Sequence, residues 1–279
     1  MLLAQYNKLK IVRSTSVGMY LTDRSGNEVL LPNKYIKPHF KVDDIIEVFV
    51  YKDYEHRWIA TTLKPYITLH HFASLKVKSV TDIGAFLDWG LEKDLFIPFK
   101  EQNQKMQVDF RYIVYLYIDE QTERLVCTSK LNRYLDNTDV QLAFNEEVKG
   151  IVFETTALGY NVIINQKHKG LLYHSEILKP LKIGDRIVAY VKQVREDGGI
   201  DLMQQPMGMQ RLEAASEKIL ELLENHPKHF LPLTDLSTPE EIKQLTGQSK
   251  KTFKRSIGIL WKLKKIDITT DGIQLQGAK

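Results

Sequence analysis

The chain has 279 residues, of which 43% are hydrophobic and 27% charged, a composition that suits two to four globular domains. Its net charge of +4 permits a nucleic-acid partner without requiring one, and most of the excess lies late: residues 208–279 hold 12 of the 39 Lys+Arg but 9 of the 35 Asp+Glu. No apolar run reaches the roughly 18 residues of a membrane helix, the start Met1-Leu2-Leu3-Ala4-Gln5-Tyr6-Asn7-Lys8 has no signal-peptide pattern, and the lone Cys127 excludes an internal disulfide; together these point to the cytoplasm and away from membranes.

The first three quarters of the chain repeat. Residues 9–64 align on residues 75–130 without a gap. A shift of 66 pairs Gly18 with Gly84, Tyr20 with Phe86, Pro32 with Pro98, Asp43 with Asp109 and Thr62 with Thr128. A weaker third copy follows at a shift of 75, which pairs Gly84 with Gly159, Leu87 with Val162 and Val108 with Ile183. This alignment expects one extra residue in the loop before Gly170. The units run over 2–64, 72–130 and 146–205.

Each unit reads as five short strands. In the second they fall at Leu75–Val80, Gly84–Trp89, Leu95–Ile97, Tyr112–Ile118 and Arg124–Thr128, all rich in β-branched and aromatic residues. Turn chemistry separates strands, as in Asp23-Arg24-Ser25-Gly26-Asn27 and Asp197-Gly198-Gly199. So many short strands in so few residues predict a small closed barrel, because closure removes exposed edges. The pattern admits either an OB-type or an SH3-like barrel.

After Pro206 the periodicity becomes helical. Arg211–Glu224 places Leu212, Ala215, Ile219, Leu222 and Leu223 on one face. Thr238-Pro239-Glu240-Glu241 is a capping box that starts a short helix, and Gly247 ends it. Ser249 caps a third helix with Phe253, Ile257, Leu260 and Leu263 on its packed face. Ile266–Thr269, the turn Thr270-Asp271-Gly272 and Ile273–Leu275 form a hairpin, which completes a winged helix-turn-helix over 208–276. From Lys250 to Lys265 there are seven basic residues and no acidic one. Lys250, Lys251, Lys254 and Arg255 stand where the helix dipole disfavours cations, which suits a surface that meets phosphates; a solvated face is the other reading.

The motifs resemble a known fold. Ile83-Gly84-Ala85-Phe86-Leu87 resembles the G-A-F-V strand of S1-type OB-folds. Lys169-Gly170-Leu171-Leu172-Tyr173-His174-Ser175-Glu176 resembles their G-L-V-H-x-S-E strand, and Leu181-Lys182-Ile183-Gly184-Asp185 resembles the approach to their fourth strand. Three S1-like units followed by a winged helix resemble the bacterial conserved virulence factor B family along nearly the whole chain. That resemblance implies three five-stranded OB-fold barrels, an α+β winged-helix domain and an RNA-binding regulator of gene expression.

It also implies ligand contacts. OB-folds bind single strands by stacking bases on aromatic side chains in a basic groove. By position, the G-A-F-V aromatic falls on Phe86 and Tyr20, with Asn161 in the third unit and Tyr160 beside it. The family's third-strand histidine falls on Tyr173, and on Leu31 and Ile97 in the other units. The basic residue opening the last strand falls on Arg124, with Arg57 one position away in the first unit and Gly199 in the third. Half-buried core residues are the alternative reading of these aromatics.

Nothing in the sequence points to catalysis or a cofactor. Phosphate-loop, zinc-protease, nucleophile-elbow and dinucleotide motifs are missing. His70-His71 and His226-Pro227-Lys228-His229 lack cysteine or carboxylate partners at metal-ligand spacing and read as linker or surface residues. The leading expectation is therefore a non-enzymatic regulator that binds single-stranded RNA. A DNA-binding transcription regulator acting through the winged helix and a protein adaptor on the ribosome or an RNA-processing complex are the alternatives.

Overall fold

The computed structural model describes residues 1–177, 179–206 and 208–277, with the backbone alone over 209–211. Three closed five-stranded barrels occupy the first three quarters. Barrel 1 comprises β1 (Gln5–Ser14), β2 (Gly18–Thr22), β3 (Glu28–Pro32), β4 (Ile45–Lys52) and β5 (Trp58–Thr61). Barrel 2 comprises β6 (Phe72–Val80), β7 (Gly84–Asp88), β8 (Leu95–Pro98), β9 (Arg111–Ile118) and β10 (Leu125–Thr128). Barrel 3 comprises β11 (Glu147–Thr155), β12 (Gly159–Ile164), β13 (His168–Tyr173), β14 (Arg186–Val194) and β15 (Ile200–Met203). In each, the third strand pairs in parallel with the fifth, giving the order first, second, third, fifth, fourth. This connectivity is that of the OB-type barrel and decides between the two options that strand pattern alone allows.

The repeat survives at the level of backbone irregularities. The first strand of every barrel carries a bulge, between Ile11 and Arg13, Val77 and Ser79, and Val152 and Glu154. A bulge bends the strand, so that one long element serves both sides of a small barrel. The second-strand glycines are fixed by close approach. A Cβ on Gly84 would lie 2.4 Å from the Ile97 carbonyl oxygen, and one on Gly159 would lie 2.0 Å from that of Leu172.

These hairpins correct one sequence expectation. Gly18 pairs with Pro32, Gly84 with Pro98 and Gly159 with Tyr173, so the third unit needs no extra residue before Gly170. Tyr173 is therefore equivalent to Pro32 and Pro98, not to Leu31 and Ile97. The run Gly170-Leu171-Leu172-Tyr173 looks alike one step either way, and only hairpin pairing fixes which side chains face out.

Apolar packing also runs between neighbouring barrels, beside the interior cores of barrels 1 and 3. Phe49 and Tyr51 of β4 share one apolar cluster with Trp89, Leu87 and Leu116 of barrel 2. Trp89 is the joint: its ring meets Phe49 edge-on at 5.7 Å and Tyr51 at 6.0 Å. A second cluster joins barrels 2 and 3, with Phe72, Ile113 and Tyr115 packed on Ile151 and Ile163. The Phe72 backbone N–H donates to Gln166 Oε1 at 2.6 Å, and Gln166 Nε2 donates back to the Phe72 carbonyl at 3.3 Å.

The C-terminal unit holds α1 (Met209–Asn225), α2 (Pro239–Thr246) and α3 (Lys250–Lys262), with β16 (Phe230–Leu231), β17 (Ile266–Ile268) and β18 (Ile273–Leu275) in the order β16-β18-β17. The Thr238–Glu241 capping box forms, Gly247 closes α2 at φ 71°, and Ser249 caps α3. Ile219, Leu223, Ile242, Phe253, Ile257 and Leu260 make the core. Leu263 departs from expectation: it is 61% exposed. It stands at the C-cap with φ −79° and ψ 1°, where the chain has left the helical path. β16, too short to register as a periodic pattern, completes the wing's sheet.

Candidate nucleic-acid interface

The three barrels present the same face differently. On barrel 2, Phe86 of β7 lies opposite Phe96 of β8, with ring centroids 5.2 Å apart and both rings half-buried. They line a cleft of about 450 Å³ together with Ile83, Lys93, Lys100 and Arg124. Ile83 is 60% exposed at the turn before β7, an apolar ledge beside the rings. Arg124 is exposed just ahead of β10.

The cleft's electrostatics favour an anion. Among the described residues, neither Lys100 nor Arg124 has a carboxylate within 4.0 Å. Lys93 donates to the Asp53 backbone carbonyl at 2.7 Å. Its ammonium is pushed below the ordinary lysine range, first by burial, with Arg124 and Lys52 adding repulsion against the opposing pull of Asp53. Two acids also line the cleft, Asp94 and Asp119, and Lys100 acts on Asp119, but both carboxylates hold other partners as well. Asp94 pairs with Lys78 at 2.8 Å, and Asp119 accepts from the Thr122 backbone and hydroxyl at 2.9 Å.

On barrel 1, Tyr20 is half-buried, and the Arg13 guanidinium covers its ring at 4.1 Å. Arg13 is itself held by both carboxylate oxygens of Glu28. Arg57, near the position of Arg124, is paired with Asp53 and Glu55. Its face is thus closed by its own ion pairs.

On barrel 3 a polar network occupies the face. Asn161 stands in the Phe86 register, is buried, and donates to Glu154 Oε2. Tyr160 faces away, edge-on to His174 at 5.7 Å. The Tyr173 hydroxyl donates to Asp201, which also accepts from Gln193 and lies 3.6 Å from Arg195. Arg195 lies over Gly199, so a Cβ there would sit 2.1 Å from its guanidinium. A cation missing from the sequence position is thus supplied from the preceding turn.

On the winged helix, Lys251, Lys254 and Arg255 are exposed and Lys250 is half-buried. The four are not all uncompensated, as charge counting along the helix suggests. Lys254 lies 3.5 Å from Asp235, and Lys250 donates to the Leu236 carbonyl at 3.4 Å. Lys251 and Arg255 have no ion pair among the described residues. The structure therefore brings Phe86 and Arg124 together, and leaves Tyr20, Tyr173 and the α3 cations on surfaces of their own.

Phe96, Lys93 and Ile83 escaped sequence reading. Phe96 carries a usable signal, since hairpin symmetry about the turn at residues 89–94 puts it opposite Phe86.

Among the described residues no group of three His, Cys, Asp or Glu side chains could hold a metal ion. Cys127 is fully buried, and burial pushes its thiol far above the usual range. No described helix is long and apolar enough to cross a membrane.

Barrels of this topology joined to a winged helix define a class, the multidomain proteins built from nucleic-acid-binding modules. The S1 domain family matches residues 3–63 and 71–130, and the CvfB-like winged helix domain family matches residues 217–275. Over most of its length the chain is similar to proteins named conserved virulence factor B. It is 28% identical over 271 residues to the uncharacterized protein YitL of Bacillus subtilis, covering 92% of this chain and 88% of that protein. Conserved virulence factor B of Staphylococcus aureus (strain N315) is 26% identical over 246 residues, covering 84% and 82%. A solved multidomain protein with nucleic acid binding domains from Streptococcus pneumoniae is 24% identical at a TM-score of 0.42, covering 98% of both chains. Neither matched domain family is an enzymatic one.

Proposed function

We propose that this chain binds single-stranded RNA and acts as a non-enzymatic, post-transcriptional regulator of gene expression in the cytoplasm. One observation carries the reading. Among the described residues, of the three equivalent barrel faces only that of barrel 2 leaves two aromatic rings open beside cations with no carboxylate within 4.0 Å. Rings stack on bases of any identity and cations track phosphates, a combination suited to flexible single strands rather than to a stacked duplex. Arg124 serves as the phosphate contact beside the Phe86 and Phe96 platforms. Tyr20 and Tyr173 take secondary positions on surfaces engaged by their own partners.

The exposed cations of α3 support a second phosphate contact, and with it the alternative of duplex DNA bound through the winged helix. The two separate in one experiment. Titrations of the full chain with single-stranded RNA and with duplex DNA of equal length, at matched salt, should show tighter binding to RNA. Tighter duplex binding would reverse the reading in favour of the winged helix. If neither nucleic acid binds while the chain co-purifies with ribosomes or an RNA-processing complex, it is a protein adaptor.

A further inference from the structure

The cleft on barrel 2 has a wall that barrel 2 does not supply. Lys52, Tyr54 and His56, from the end of β4 and the β4–β5 turn of barrel 1, line it opposite Phe86 and Arg124. The turn is held in place. The Tyr54 hydroxyl donates to the Glu92 carbonyl at 2.7 Å, Lys93 donates to the Asp53 carbonyl at 2.7 Å, and Lys34 of barrel 1 pairs with the Glu92 carboxylate. Beneath these contacts lies the shared core around Trp89, whose indole N–H donates to the Lys93 carbonyl. The wall is therefore fixed relative to the rings.

We infer that barrels 1 and 2 form one composite site for a base and its flanking phosphate, in which the β4–β5 turn of barrel 1 supplies the phosphate contacts through Lys52 and His56 while Phe86 and Phe96 receive the base. This inference rests on the reading of barrel 2 as the single-strand platform, and it assigns barrel 1 a task its own closed face does not perform. Lys52, half-buried at the end of β4, has no carboxylate within 4.0 Å among the described residues. His56 is exposed and positioned by a left-handed backbone at φ 62°. Lys52, Lys93 and Arg124 all bear on it, with Asp53 as the opposing charge. An anion bridging these groups relieves their mutual repulsion, and a nucleotide is the ligand that offers an anion and a flat apolar ring together.

The test uses the full chain and a fluorescein-labelled oligouridylate, with circular dichroism confirming the fold of every variant. The double variant Lys52→Gln/His56→Gln should bind about tenfold more weakly at low salt, because charge-assisted contacts are lost. Its log K against log salt slope should fall by about 0.7 for each phosphate contact removed from a single strand. Phe86→Leu should weaken binding while leaving the slope unchanged. If Phe86→Leu weakens binding and the double variant matches the parent in affinity and slope, the composite site is wrong and the single-barrel reading stands. If a folded Phe86→Leu binds normally, the barrel 2 platform itself is wrong and the composite site falls with it.

Discussion

Phe86 and Tyr20 occupy the same register in their barrels, yet the residues over them differ, and that difference sets their expected behaviour. Phe86 faces Phe96 and the open cleft, so Phe86→Ala should weaken RNA binding by about 1–3 kcal/mol, the typical worth of one base stack. Phe86→Leu, which keeps most of the local packing, should lose nearly as much affinity. If only the alanine variant is affected, and it melts earlier, Phe86 is packing and not a platform. Tyr20→Leu should cost less in the same titration, since Arg13 already covers the ring. His56 adds a pH dependence. Repulsion from Lys93, then burial, then Arg124 and Lys52, hold its imidazole below the ordinary value despite Asp53. In the free protein, acidification therefore works against the fold at this residue. A bound phosphate reverses the balance, raising the imidazole's proton affinity, so binding takes up a proton. RNA affinity should rise as pH falls from about 7.5 through the ordinary histidine range near 6.5, and His56→Gln should flatten that rise. A parent titration independent of pH would place the phosphate away from His56. Phe86 and Arg124 could be named from the sequence because the S1-type motif they resemble places its contacts at fixed positions within one unit. Lys52 and His56 were not, because they belong to another barrel and meet the cleft only through tertiary packing.

At the level of elements, α3 carries charge that works against its own stability. Its first turn has no acidic residue, while Lys250, Lys251, Lys254 and Arg255 crowd its N-terminal half. Asp235 relieves Lys254 from a loop, a surface pair worth about 0–1 kcal/mol. Changing all four to Gln should leave the fold intact or slightly more stable, weaken RNA affinity and flatten the salt dependence. Most of the effect should already appear in Lys251→Gln/Arg255→Gln, the pair without ion partners among the described residues. A salt titration of both variants beside the parent, with circular dichroism, checks this. Unchanged affinity and slope in folded variants would move the winged helix from phosphate contact to protein docking. The caps of α2 and α3 were readable because Thr238, Gly247 and Ser249 act on backbone groups within a few residues. The end of α3 was not. Periodicity carries Leu263 onto the packed face, but the helix has already stopped, leaving that side chain outside. The same limit acted on β13, where a locally ambiguous apolar run hid a one-residue register that only pairing with β12 reveals.

At the scale of the molecule, the repeat suggests three independent beads, but the packing joins the first two through Trp89. Its indole is 1% exposed, touches Phe49 and Tyr51 of barrel 1, and holds the Lys93 loop that lines the cleft. The first unit offers no tryptophan at the equivalent position, where Asp23 opens a polar turn instead. Trp89 is thus a departure from the repeat at the point where one barrel must rest on another. Trp89→Leu removes ring volume from the cluster that barrel 2 shares with Phe49 and Tyr51 of barrel 1, and the hydrogen bond to the Lys93 carbonyl. The expected loss is roughly 2–4 kcal/mol, in line with other large-to-small core changes. Because the cluster is shared, hydrogen exchange should speed up in β4 of barrel 1 as well as in β7 and β8 of barrel 2. The strands of barrel 3, joined through Phe72 and Ile151 on the far side, should keep most of their protection. RNA affinity should fall in the same variant, since Trp89 lines the cleft and the cleft's two walls lose their common support. Full protection of β4 alongside exposed β7 and β8 would show instead that barrel 1 holds its fold by itself, and would make the wall it lends to the cleft a movable one.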